Sequence, residues 1–222
     1  MGCIEKIYSV SALVGNGSCN ANCDFCAGKY LRNQARENTN YYKNLEAAIK
    51  LSARYGGWSL SLTGSGEPTC DPYSVSRALE IYQKCAREGA FFPNVNLFTN
   101  GILFADKIFC KKYLPEWRNL GLTNVAISIH DVDEKEQARA YNLKSYPDFS
   151  KIINNIRDYG LGVRGTLLLR KNGVDNSIKY KEAVHTLIHK GIDNITSWPV
   201  GNPNGTRNEY TPSRFGILGI KN

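Results

Sequence analysis

The stretch WSLSLTGSGEPT, residues 58–69, joins a short apolar run to a turn built on glycine and proline. The run at 58–63 reads as a β-strand, and the turn after it marks the strand's C-terminal end. Gly64 and Gly66 let the backbone approach a ligand closely, and Glu67 supplies an acceptor for an ammonium group. Comparable runs recur on both sides: IYSVSALV (7–14), VNLFT (95–99), VAISIH (125–130), VRGTLLL (163–169) and ITSWPV (195–200). Between them, apolar residues fall on one face of a 3.6-residue period. Val75, Leu79, Tyr82 and Ala86 form one such face, and Phe149, Ile152, Ile153 and Ile156 a second. Tyr180, Val184, Leu187 and Ile188 form a third. Gly89, Gly121, Gly160 and Gly191 stand where helices should stop.

Six strands separated by helices predict an α/β fold with a parallel sheet, right-handed crossovers and functional loops at the strand C-termini. Only 22 residues follow Val200, and a βαβ unit takes roughly 30, so eight units cannot be completed. The expected fold is an incomplete (β/α)6 TIM-like barrel with parallel strands. An open, doubly wound sheet would give a similar pattern. No low-complexity tract or Pro/Ser-rich linker divides the chain, so residues 1–222 read as a single core domain.

Apolar residues make up 42% and charged residues 22% of the chain, ordinary values for a globular protein in water. No run approaches the length of a membrane span. The N-terminal MGCIEKIYSV lacks the basic-then-apolar order of a secretory signal, and Lys6 stands where myristoylation requires Ser or Thr. A cytoplasmic location with no membrane partner is expected. Seven cysteines, an odd number unevenly spaced, argue against a disulfide framework. The net charge of +8 favours anionic partners, yet Lys and Arg are scattered and no nucleic-acid motif accompanies them. Nucleic acid is therefore not an expected partner.

SCNANCDFCAG (18–28) places Cys19, Cys23 and Cys26 within eight positions, just after the first strand. Three sites are compatible with it. Structural zinc needs four ligands, commonly in two pairs, and Cys3, Cys70, Cys85 and Cys110 are isolated. A redox dithiol would use one CxxC pair and leave Cys19 unexplained. A cubane iron–sulfur cluster held by three thiolates would keep one iron open to a small molecule.

C-x3-C-x2-C with Phe25 just before the third cysteine resembles the signature of the radical S-adenosylmethionine (radical SAM) superfamily. The resemblance implies a 4Fe-4S cluster on Cys19, Cys23 and Cys26, with the open iron chelated by the amino and carboxylate groups of S-adenosylmethionine (SAM). LTGSGEPT resembles the family's glycine-rich loop, which implies that Gly64, Ser65, Gly66 and Glu67 meet the methionine amino group. Ser65 stands where many members have glycine. FTNG (98–101) and SIH (128–130) resemble places where members contact the ribose or carboxylate, which implicates Thr99, Asn100, Ser128 and His130. SWPVGNP offers Trp198, Pro199 and Val200 as a wall for adenine, and Phe25 would pack near the cluster or adenine. The resemblance spans about residues 7–200. Where members often carry an acidic residue near the end of the fifth strand, this chain has none. Arg164 and Arg170 there either meet a carboxylate or the substrate, or are strand residues facing solvent.

The resemblance implies an enzyme. Its reduced cluster would cleave SAM to methionine and a 5′-deoxyadenosyl radical, which abstracts hydrogen from a substrate not identified by the sequence. That substrate is a small molecule or a protein loop entering a lateral mouth. A one-electron donor such as flavodoxin or ferredoxin is implied as a partner. No cysteine follows Cys110, so neither an auxiliary-cluster domain nor the paired-cysteine chemistry of radical RNA methylases is expected, and there is no room for a cobalamin domain. The alternative is a non-catalytic iron–sulfur or zinc-binding protein, its site completed by a distant residue such as Cys70 or His130. Cys70 otherwise reads as a second redox thiol or a small buried residue, and Cys85 as core. His185 and His189 have an i,i+4 spacing that can bind metal, with a surface pair as the plainer reading. Arg32 and Arg36 read as steering groups for an anion or as a charged loop.

Overall fold

The structure is a computed structural model and describes residues 6–26, 28–31, 40–64, 66–202 and 204–214. Cys3, Arg32, Arg36 and Ser65 lie outside the described residues. Among the described residues the strands are β1 (Ser9–Leu13), β2 (Ser59–Thr63), β3 (Asn94–Thr99), β4 (Asn124–Ile129), β5 (Gly162–Leu169) and β6 (Asn194–Pro199). All neighbours are parallel, and the order in the sheet is the order in the chain. A doubly wound sheet reverses its strand order at a switch point. This sheet never reverses, so the fold is the incomplete TIM-like barrel. Among the described residues β1 pairs with β2 alone and β6 with β5 alone, so the sheet does not close between them.

The helices are α1 (Gly28–Leu31), α2 (Tyr41–Arg54), α3 (Pro72–Arg87), α4 (Lys107–Asn119), α5 (Glu134–Ala140), α6 (Phe149–Arg157) and α7 (Ser177–His189). The five from α3 to α7 start at an Asp or Asn whose side chain accepts a first-turn N–H: Asp71, Asp106, Asp133, Asp148 and Asn176. Those caps satisfy donors that the helix itself cannot reach. At the other end, α4 stops on Gly121 at φ +104. Its N–H donates to Arg118 O and the Leu122 N–H to Trp117 O, both at 2.9 Å. This paired closure needs a left-handed residue, which glycine adopts without a Cβ penalty.

The core lies between the helices and one face of the sheet. Leu60, Leu62, Val95, Leu97, Val125, Ile127, Val163 and Leu167 are all fully buried there. On α6 the expected face, Phe149, Ile152, Ile153 and Ile156, is wholly buried. On α7 the expectation needs correction. Ala183 and Leu187 are buried, Tyr180 and Val184 pack beside them, and Ile188 is 56% exposed. Ile188 follows Leu187 by one position, about 100° further round the axis, which takes it off that stripe.

The opposite, concave face carries Ser61, Asn96, Asn124, Arg164 and Thr166, with Ala126 beside Arg164 and Phe98 and Leu168 nearer the strand C-termini. It is a trough, polar at its floor, that leads to those ends.

Candidate functional site

After β1 the chain passes across the C-terminal ends of the neighbouring strands, and long-range hydrogen bonds hold it there. Gly15 N–H donates to Ser74 Oγ at 2.8 Å, and Glu67 N–H to Ser18 O at 2.8 Å. Asn100 Nδ2 donates to Asn20 Oδ1 at 2.6 Å, and Asn22 N–H to Tyr141 O at 2.9 Å. Asn142, in the left-handed region at φ +53, bridges Asn22 O and Asp24 Oδ1 with its amide (2.9 and 3.0 Å). The cysteine loop is thus tied to the segments that follow β2, β3 and β4.

The glycine-rich loop meets this segment at backbone distance. A Cβ on Gly64 would lie 2.5 Å from Val14 O, and one on Gly66 would lie 2.2 Å from Ser18 O. The close approach expected at these glycines is therefore made to the cysteine loop itself.

Both loops face one cavity of about 350 Å³. Cys19, Cys23, Phe25 and Cys26 line it from the first loop, and Gly64, Gly66 and Glu67 from the second. Thr99 and Asn100 enter at the end of β3, Ser128 and His130 at the end of β4, and Pro199 and Val200 at the end of β6. Trp198 is not brought to the cavity: it is 64% exposed, and Pro199, Val200 and Gly201 form that wall.

Glu67 is buried and receives four hydrogen bonds. Oε1 accepts from Thr69 N–H (3.0 Å), Thr69 Oγ1–H (2.7 Å) and Thr99 Oγ1–H (2.6 Å). Oε2 accepts from Asn100 N–H at 2.7 Å. Burial raises its pKa, and the hydrogen bonds from Thr99, Asn100 and Thr69 work against that rise. Oε2, with one donor, keeps acceptor capacity toward the cavity.

His130 is 2% exposed, and its Nδ1 has no hydrogen-bond partner. Burial, helped by the positive charge of Arg170, pushes its pKa down from 6.5 to about 3, so the imidazole is neutral at ordinary pH. Its ring packs edge-on against Phe25 at 4.8 Å and Tyr141 at 4.9 Å. The Arg170 guanidinium sits over the other side of this cluster, 5.7 Å from the Phe25 centroid. An orphaned buried nitrogen on a cavity wall points to a ligand that completes it.

Among the cysteines, burial and the neighbouring Cys26 and Cys19 push the Cys23 thiol up to about 12, so without metal it holds its proton. Cys19, Cys23 and Cys26 come from one loop and all face the cavity. The thiolates of a cubane cluster each hold a different iron, and three thiols with no fourth cysteine beside them in the loop fit such a cluster. Cys70 is half-buried beside Glu67 and does not line the cavity. Cys85 is core. His185 and His189 are exposed, with His189 Nδ1 bonded to His185 O at 2.8 Å, an ordinary surface pair.

Sequence reasoning missed Tyr141 and Gln137. Tyr141 lines the cavity and donates its hydroxyl to Ser128 O at 2.8 Å. Gln137, fully buried, accepts the His130 and Asp131 N–H groups and donates to Ser128 O, which fixes the chain after β4. Both stand on or next to α5, whose seven residues offer too short a period to single them out.

Comparison with known proteins agrees with this geometry. The family model described as the radical SAM superfamily matches residues 14–180. Among solved structures, a radical SAM methyltransferase from Sphaerobacter thermophilus is similar at a TM-score of 0.67 and 19% identity, over 96% of this chain and 62% of that one. Native anSMEcpe with bound AdoMet and the Cp18Cys peptide gives 0.64 at 17% identity, over 96% and 57%. Streptococcus suis SuiB bound to its precursor peptide SuiA gives 0.62 at 18% identity, over 87% and 39%. The chain thus spans less than two thirds of each of these proteins. No curated protein matches its sequence. The match over residues 14–180, on the fold and loops just described, shows that the chain belongs to the radical SAM superfamily.

Proposed function

We propose that the chain is a radical SAM enzyme in which Cys19, Cys23 and Cys26 hold a 4Fe-4S cluster and leave one iron to SAM. The observation that carries this reading is the convergence of the three cysteines, Glu67 and the orphaned His130 nitrogen on one cavity at the strand C-termini. When bound, the cluster supplies the electron that splits SAM into methionine and a 5′-deoxyadenosyl radical, which takes hydrogen from a substrate.

The residues around it bind, orient and shield. The remaining acceptor position of Oε2 on Glu67 receives the SAM ammonium, while Thr99 acts through Glu67 by holding Oε1 in place. Asn100 presents its backbone N–H to the same carboxylate and ties the cysteine loop to β3 through Asn20. Ser128 offers its hydroxyl to the ribose, since its carbonyl is already taken by Tyr141 and Gln137. Neutral His130 meets the cofactor at Nδ1 as donor or acceptor according to its tautomer. Phe25, Pro199 and Val200 flank the adenine and keep water out. The thiols lose their protons to bind iron, which the burial of Cys23 makes dependent on the metal being present. A one-electron donor such as flavodoxin or ferredoxin completes the cycle. The peptides in the SuiB and anSMEcpe structures support an open mouth as a route for large substrates.

The test is anaerobic reconstitution, followed by SAM and dithionite. We expect 5′-deoxyadenosine and methionine in equal amounts, and neither from Cys23→Ala. A protein with an intact cluster that releases no 5′-deoxyadenosine contradicts the proposal.

A further inference from the structure

Arg164 lies on the concave face, one strand layer below Thr166 and its β4 neighbour Ser128, which lines the cavity. Its side chain reaches further down the trough. Nη1 donates to Asn96 Oδ1 at 3.0 Å and Nη2 to Asn194 Oδ1 at 3.4 Å. Asn96 is buried and is itself held: its Nδ2 donates to Ser59 Oγ at 3.2 Å, and its Oδ1 also accepts from Asn124 Nδ2 at 3.2 Å. Gly162 makes room for this arrangement, because a Cβ there would lie 2.4 Å from Asn124 Oδ1. Side chains from four strands thus fix one guanidinium with neutral partners.

Among the described residues no ion pair forms at Arg164. The acid nearest to it along β6, Asp193, is turned to Arg157 and to the Val163 N–H at 2.8 Å. Around it on the trough wall, Ser61, Ala126, Thr166 and Thr196 are neutral and small, and Phe98 and Leu168 above them are apolar. A half-buried guanidinium with amide partners alone has donors left over, and a planar two-oxygen anion matches its fork. Among the described residues β1 and β6 do not pair, so the sheet does not close beside the trough.

We infer that Arg164 is the anchor for a carboxylate of the substrate. The inference rests on the reading of the cavity above it as the SAM site. Strands rise about 3.3 Å per residue, which puts the guanidinium roughly 7–13 Å below Ser128. The substrate is therefore an elongated acid, its carboxylate that far from the carbon that loses hydrogen.

The test is phenylglyoxal labelling of the cluster-loaded full chain, read at Arg164 by mass spectrometry with the other arginines as internal controls. Glutarate is expected to slow labelling at Arg164 by roughly threefold or more, as occupancy dictates. Neutral pentanediamide is expected to leave the rate unchanged, and inorganic phosphate at equal concentration to protect less than glutarate. No protection by glutarate, equal protection by the diamide or phosphate, or full protection by SAM alone overturns the proposal. Arg164→Lys is expected to lose part, and Arg164→Gln all, of the rise in melting temperature that glutarate produces. A rise retained in Arg164→Gln also overturns it. Both measurements read binding of an acid, so a chain that fails to cleave SAM leaves their outcome standing.

Discussion

Glu67 and His130 are two buried polar residues of the cavity with opposite states. Glu67 is saturated on one oxygen and keeps an acceptor position on the other, and it joins the β2 loop to β3 while facing the cavity. In Glu67→Gln an amide N–H₂ must face donors that an oxygen accepted before. Hydrogen bonds to a buried charge are worth about 1.5–3 kcal/mol each, so we expect a loss of about 3 kcal/mol in a urea titration. A change under about 0.5 kcal/mol, the size of an ordinary surface substitution, contradicts the clamp. His130 has a folded pKa of about 3 against an ordinary 6.5. The unfolded chain takes up the proton as pH falls through 6.5, and the folded chain does not. Stability from this group is complete above 6.5 and declines as pH falls toward 3, by about 1.4 kcal/mol per unit. Between pH 6.5 and 5, His130→Gln should therefore lose about 2 kcal/mol less stability than the parent chain. Equal losses would show that His130 protonates normally.

At the scale of elements, the two loops that build the cavity are packed backbone to backbone and hold each other in place. Gly66→Ala drives a Cβ into Ser18 O. It should cost about 1–3 kcal/mol, as overpacking does, and lower the iron retained after reconstitution. Gly89→Ala is the control. Open space surrounds that position at φ +95, so it should cost about 1–2 kcal/mol in backbone strain and leave iron content unchanged. Equal iron content in both variants contradicts the interlock. These elements differ in how far the sequence reveals them. All six strands lie within the runs read from it or begin one residue earlier, because each buried strand is a compact apolar run closed by turn residues. The cysteines and Glu67 are legible because chemistry fixes their spacing. Asn142 and Tyr141 are not, since their value lies in hydrogen bonds to a loop about 120 residues earlier. Trp198 differs: the register pairs it with the cavity-lining Leu168, yet at the sheet edge it is exposed and Pro199 and Val200 line the cavity instead.

At the scale of the molecule, the unclosed barrel is what would let the proposed enzyme bury its site and still admit a substrate. The helices cover one face of the sheet, and the other is polar around Arg164 and turns apolar at Phe98 and Leu168, which line the cavity. Among the described residues no helix is long and apolar enough to cross a membrane. All of this depends on one iron being left for SAM by the protein's thiols. The most direct measurement is electron–nuclear double resonance on the dithionite-reduced, reconstituted chain with SAM carrying ¹⁵N at its amino group. The account predicts a ¹⁵N coupling to the cluster and an altered electron paramagnetic resonance spectrum once SAM is added. A spectrum indifferent to SAM, with no ¹⁵N coupling on a fully loaded cluster, would contradict it.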